Sequence, residues 1–78
     1  MDTIYDAKLL LVDDNAELLA LLCEQLRGAG YGHIRTAQSC AAARACFAAE
    51  QPELMILDIN LPDGDGFSLF RALRAKAD

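Results

Sequence analysis

The sequence predicts an α/β fold, a parallel sheet covered by helices. Two observations predict it. Two runs of four apolar residues, Leu9-Leu10-Leu11-Val12 and Leu54-Met55-Ile56-Leu57, each lead directly into aspartate. Runs of this kind read as strands buried on both faces, the habit of parallel strands between helices. Strand-like and helix-like segments alternate three times with short turns between them, which implies right-handed crossovers in a single parallel sheet. At 78 residues the chain is one domain, residues 1–78. A domain of that size buries only about 60–65% of its unfolded surface.

Strand one spans about Lys8–Val12. Helix one follows over Ala16–Arg27, capped by Asn15 or Asp14, with Leu18, Leu19, Leu22 and Leu26 forming an apolar stripe at helical spacing. Gly28 and Gly30 end it. Strand two is short, about His33–Ala37. Ser39 caps an alanine-rich second helix that runs to about Ala49, with Phe47 as its one large apolar anchor. Gln51-Pro52 stops that helix, because the residue before proline disfavours helical geometry. Strand three is Leu54–Asp58. Pro62, Gly64 and the polar residues around them make Ile59–Asp65 a loop. Asp65 then caps a third helix over Gly66–Lys76, whose apolar face is read from Phe67, Phe70 and Leu73.

Composition narrows the function. The net charge is −5, and the basic residues are scattered. Phosphate contacts need clustered lysine and arginine, so this segment is not expected to bind nucleic acid. Arg71, Arg74 and Lys76 gather at the end of helix three, where cations complement the helix dipole. No apolar stretch is long enough to span a membrane, and the start Met1-Asp2-Thr3-Ile4-Tyr5-Asp6 has no basic or apolar secretory character. A cytoplasmic location and no membrane partner are expected. Cys23, Cys40 and Cys46 match no zinc or redox spacing. Cys23 and Cys46 fall on helix faces as core thiols, and Cys40 is expected to be partly exposed beside its cap.

The chemistry lies in the acids. Asp13 and Asp14 follow strand one, and Asp58 ends strand three. If those strands are adjacent and parallel, all three carboxylates meet at the carboxyl edge of the sheet, where open α/β folds bind ligands. Two unit charges about 4 Å apart repel by about 4 kcal/mol at an effective dielectric near 20. A divalent cation offsets that repulsion and suits phosphate chemistry. Capping is the plainer alternative. Asp14-Asn15-Ala16-Glu17 fits a capping box with aspartate in place of serine or threonine. Capping explains neither the third acid nor its place.

The stretches Leu9–Asn15 and Leu54–Gly66, the latter reading Leu-Met-Ile-Leu-Asp-Ile-Asn-Leu-Pro-Asp-Gly-Asp-Gly, resemble the receiver domain of two-component response regulators. The similarity runs through essentially the whole chain. It implies a flavodoxin-like, CheY-like doubly wound sheet with strand order 2-1-3 for these three βα units. It implies that Asp58 is the phosphoacceptor, attacking the phosphorus of a phosphohistidine on a sensor histidine kinase or phosphotransfer protein. It implies a Mg2+ site of Asp13, Asp14, Asp58 and the backbone carbonyl of Asn60, with Asp14 as the direct ligand and Asp13 acting through water; the Asn60 side chain lies near the phosphoryl group. A receiver is a signalling phosphoacceptor and not a classical enzyme; its own chemistry is self-catalysed phosphotransfer and dephosphorylation.

The resemblance further implies two more βα units after residue 78, bearing a serine or threonine and a lysine that bind the phosphoryl oxygens. Without those units strand three has an open edge, which invites self-association. Two other functions compete. One is a receiver-like interaction or dimerisation module that takes no phosphate. The other is a Mg2+-dependent phosphohydrolase with an aspartate nucleophile; such enzymes show Asp-x-Asp, whereas this chain has Asp58-Ile59-Asn60. His33 is expected at the opposite end of the sheet from the acids, with no part in their chemistry.

Overall fold

The computed structural model describes residues 4–76. Residues 1–3, 77 and 78 and the side chain of Lys76 lie outside the described residues, so of the three C-terminal cations only Arg71 and Arg74 are described in full. After a short 3-10 turn at Ile4–Asp6, the order is β1 (Leu9–Val12), α1 (Ala16–Gly28), β2 (Ile34–Ala37), α2 (Cys40–Glu50), β3 (Leu54–Leu57), β4 (Asn60–Leu61), β5 (Gly64–Asp65) and α3 (Gly66–Lys76). The expected α/β architecture is present. β1 is central and parallel to both neighbours, in the order β2-β1-β3.

β1 is buried on both faces, as its four apolar residues require. Leu10 and Val12 face a core shared with Ala37, Cys40, Ala43, Leu61, Leu69 and Leu73, which α2 and α3 cover. Leu9 and Leu11 face a second core with Ile34 and Leu19, which α1 covers, flanked by Leu22, Cys23, Leu26 and Tyr31. Cys46 and Phe47 pack against the first core and Cys23 against the second, as expected of them. Tyr5 meets Tyr31 edge-on, with ring centroids 5.1 Å apart, closing the amino-terminal end.

Several local expectations need correction. β3 is not buried on both faces. Leu54 is 54% and Ile56 46% exposed, because α1 lies over β1 and β2 and no described element covers the outer part of β3 on that side. For the same reason Leu18 stands at the margin of the α1 stripe and not within the core. The third helix turns a different face inward: Leu69 and Leu73 are buried, while Phe67 is 63% and Phe70 47% exposed. Gly66 sets that phase. It is itself buried, and a Cβ there would strike the Asp58 carbonyl. Positions three and seven residues later, Leu69 and Leu73, share its side of the helix. Cys40 is buried, not partly exposed, since Leu61 from the following hairpin joins its core.

The segment expected to be a loop holds a small antiparallel hairpin. Asn60 pairs with Asp65 and Leu61 with Gly64, and Pro62-Asp63 form the turn. The α2 terminus is as expected in place but not in shape. Gln51 takes a left-handed conformation (φ 49°), donating its amide to the Phe47 carbonyl, a role usually filled by glycine.

Candidate functional site

Parallel pairing puts the acids together. Val12 is in register with Leu57 on one side and Ala37 on the other. The ladder continues one residue further: the Asp58 amide donates to the Val12 carbonyl at 2.8 Å, and the Asp13 amide to the Ala37 carbonyl at 3.1 Å. Asp13 and Asp58 therefore occupy neighbouring positions on the carboxyl edge. Asp14 is the next residue along. One carboxylate oxygen from each of Asp13, Asp14 and Asp58 lies within 4.8 Å of the other two. Asp13 and Asp58 are half-buried, and Asp14 is exposed.

The turn after β1 shows which residue caps α1. The Asn15 side chain accepts the Leu18 amide at 3.1 Å, so Asn15 is the N-cap. One oxygen of Asp13 accepts the Asn15 amide at 2.9 Å and shapes the turn. Asp14 is thus not the cap that a capping-box reading would make it, and its carboxylate is left to the cluster. Asn60 sits two residues beyond Asp58, exposed at the start of β4, and its amide approaches Asp58 Oδ1 at 3.4 Å. His33 is exposed at the opposite edge of the sheet, where its carbonyl accepts the Leu9 amide, as expected.

The donor set fits a small, hard cation. Three carboxylates converge with no sulfur or imidazole among them, the ligand type that suits Mg2+ over softer metals. Beside them, Leu18, Leu19, Leu22, Ile56 and Leu57 line an apolar groove that runs up to Asp13 and Asp58.

Two further aspartates organise the hairpin after Asp58. Asp65 caps α3, as expected, accepting the Ser68 amide at 2.8 Å and the Ser68 hydroxyl at 3.0 Å. Asp63 was invisible to sequence reasoning except as a polar turn residue. Its two oxygens accept the Cys40 amide at 2.7 Å and the Ala41 amide at 3.0 Å, at the start of α2. These amides hold the Asp63 carboxyl below the usual range, and the amide and then the hydroxyl of Ser68 do the same for Asp65. Burial, then Asp63, push the Cys40 thiol up. Among the described residues no helix is long and apolar enough to cross a membrane.

Comparison with known proteins agrees with this architecture. The family model "Response regulator receiver domain" matches residues 9–78. The transcriptional regulatory protein GltR of Pseudomonas aeruginosa is 43% identical over 67 residues, 86% of this chain and 27% of that protein. The solved chemotaxis response regulator CheY4 of Vibrio cholerae superposes with a TM-score of 0.86 at 30% identity, covering 92% of this chain and 59% of that one. A solved response regulator, MaeR, described as bound to beryllium trifluoride, superposes with a TM-score of 0.83 at 26% identity, covering 91% of this chain and 59% of that one. The chain thus spans about a quarter of the GltR length and three-fifths of the CheY4 length.

Proposed function

The chain belongs to the response regulator receiver domain family, and from that premise we propose that Asp58 is its phosphoacceptor, served by Mg2+ at the carboxyl edge of the sheet. One observation carries the reading: the three carboxylates of Asp13, Asp14 and Asp58 converge within 4.8 Å. Capping does not account for that convergence, because Asn15 caps α1.

In the proposed transfer the Asp58 carboxylate attacks the phosphorus of a phosphohistidine on a sensor histidine kinase or phosphotransfer protein. A phosphorus–oxygen bond forms to Asp58, and the bond to the histidine nitrogen breaks with its electron pair. A carboxylate nucleophile for this transfer has to lie at an accessible strand end and in line with the leaving nitrogen. Asp14 and Asp58 would hold the metal directly, Asp13 through water, and Asn60 by its backbone carbonyl. When bound, Mg2+ neutralises the acids and the charge on the transferring phosphoryl oxygens. The Asn60 side chain would stand near the phosphoryl group and modulate its hydrolysis. The proposed setting is the cytoplasm, and the protein acts as a signalling phosphoacceptor.

Beryllium trifluoride tests this, since it forms an acyl-phosphate mimic on an ionised aspartate. In the protein with its full receiver length, it should bind with Mg2+ and shift the amides around Asp58, and Asp58→Ala should abolish the shift. Equal binding by Asp58→Ala, or none by the unaltered protein, would reject the assignment. A second reading, an interaction module that takes no phosphate, is favoured by one feature, the open and apolar outer edge of β3.

A further inference from the structure

We propose that Asp63 is a positioning residue for the acidic site: it pins the β4–β5 hairpin to the start of α2 and thereby holds Asn60 in place. The inference rests on the reading of the site given above, in which Asn60 offers its carbonyl to the cation.

The hairpin cannot hold itself. Its strands have two residues each, far below the length at which an isolated hairpin is stable. It must be anchored from outside, and three contacts do so on the α2 side. Leu61 is buried in the core with Cys40 and Ala43. Gly64 lies against the Cys40 thiol, where a Cβ would come within 3.1 Å of the sulfur. Asp63 closes both of its oxygens on the Cys40 and Ala41 amides. On the other side Asp65 caps α3, and the Gly66 amide donates to the Ile59 carbonyl at 2.8 Å.

The helix accounts for part of the Asp63 contact, since the part-buried Cys40 amide takes Asp63 as its acceptor, but not for all of it. Ser39 already caps α2, accepting the Ala42 amide at 3.1 Å. The Ala41 amide belongs to an exposed first-turn residue that water could serve. The carboxylate reaches back 22 and 23 residues to make its two bonds. What those bonds add is a charge-assisted, two-point tether on the turn between Leu61 and Gly64. Asn60 is one step further along the same ladder, paired with Asp65. Loosening the turn frees the backbone that carries the Asn60 carbonyl.

The test compares the unaltered chain with Asp63→Ala, Asp63→Asn and Ser39→Ala. Mg2+ titration is followed by NMR, and amide exchange is read in the same samples. Ser39→Ala removes a cap from the same helix but leaves the hairpin tether intact, so it reports a merely structural loss. Asp63→Ala should weaken Mg2+ about 3- to 10-fold and speed exchange at Cys40 and Ala41 and within the hairpin. Asp63→Asn, which keeps one acceptor oxygen, should fall between and covers the case in which alanine does not fold. Ser39→Ala should leave the Mg2+ affinity unchanged. Equal Mg2+ affinity in the Asp63 and Ser39 variants, with the unaltered chain binding, would overturn the inference. No Mg2+ response in the unaltered chain would instead reject the acidic-site reading, and the positioning role with it.

Discussion

Asp13 and Asp14 are neighbours in sequence with different local tasks. Asp13 accepts the Asn15 amide as well as contributing an oxygen to the cluster. Asp14 is spared from capping by Asn15. The proposed division follows: Asp14 binds the cation directly, and Asp13 supports it through water. In Mg2+ titrations Asp14→Ala should therefore weaken affinity more than Asp13→Ala, and the reverse order would overturn the division. Asp63 and Asp65 give a separate, pH-dependent signature. Both carboxyls are held below their ordinary value of 3.8, Asp63 first by the Cys40 amide and Asp65 first by the Ser68 amide. As pH falls, the unfolded chain takes up those protons before the folded chain does. The stability they contribute is complete above the ordinary value and is lost as pH falls through the folded values. Chemical denaturation across that range should show a shallower acid loss for Asp63→Asn than for the unaltered chain. Identical slopes would mean that its bonds to α2 do not persist in solution.

At the scale of elements, α3 offers the clearest contrast between similar side chains. Leu69→Ala removes a side chain that is 1% exposed and should cost about 2–5 kcal/mol by denaturant unfolding. Phe67→Ala, on the open face, should stay within about 0.5 kcal/mol. The opposite ranking would mean that the helix is rotated. That rotation is also where the sequence was least informative. Helical spacing fits Phe67, Phe70 and Leu73 nearly as well as Leu69 and Leu73, and only the close approach of Gly66 to the Asp58 carbonyl decides between them. Elements with a strong periodic or terminal signal were readable: the Leu9–Val12 run, the Ser39 cap, the Asp65 cap and the Asp13–Asp14–Asp58 meeting point. The hairpin was not, since two-residue strands carry no period and Pro62-Asp63-Gly64 reads as any turn. Asp63 was not readable for the same reason. Its partners are amides 22 and 23 residues away, and backbone amides leave no mark in a sequence.

At the scale of the molecule, the sheet is covered unevenly. α2 and α3 close one face, whereas α1 leaves Leu54 and Ile56 exposed on the other, beside a β3 edge that pairs with no other strand among the described residues. An apolar edge with unpaired backbone groups recruits a strand. The β3 run Leu54-Met55-Ile56-Leu57 contains no charge and no proline to block pairing, and it is complementary to itself. With antiparallel pairing about a two-fold axis normal to the sheet and centred on Met55, Leu54 of one copy would stand beside Ile56 of the other on the same face. The two acid clusters then point to opposite ends and do not repel at the join. The net charge of −5 on each copy still opposes association, so salt should promote it. Sedimentation of the 78-residue chain should therefore show concentration-dependent dimers that increase with ionic strength. Ile56→Lys should abolish them by placing a charge at the edge, while leaving the fold intact because that side chain is already half exposed. A monomer at every concentration and salt level would show that the edge is not used by a second copy, and the interaction-module reading would lose the observation that favours it.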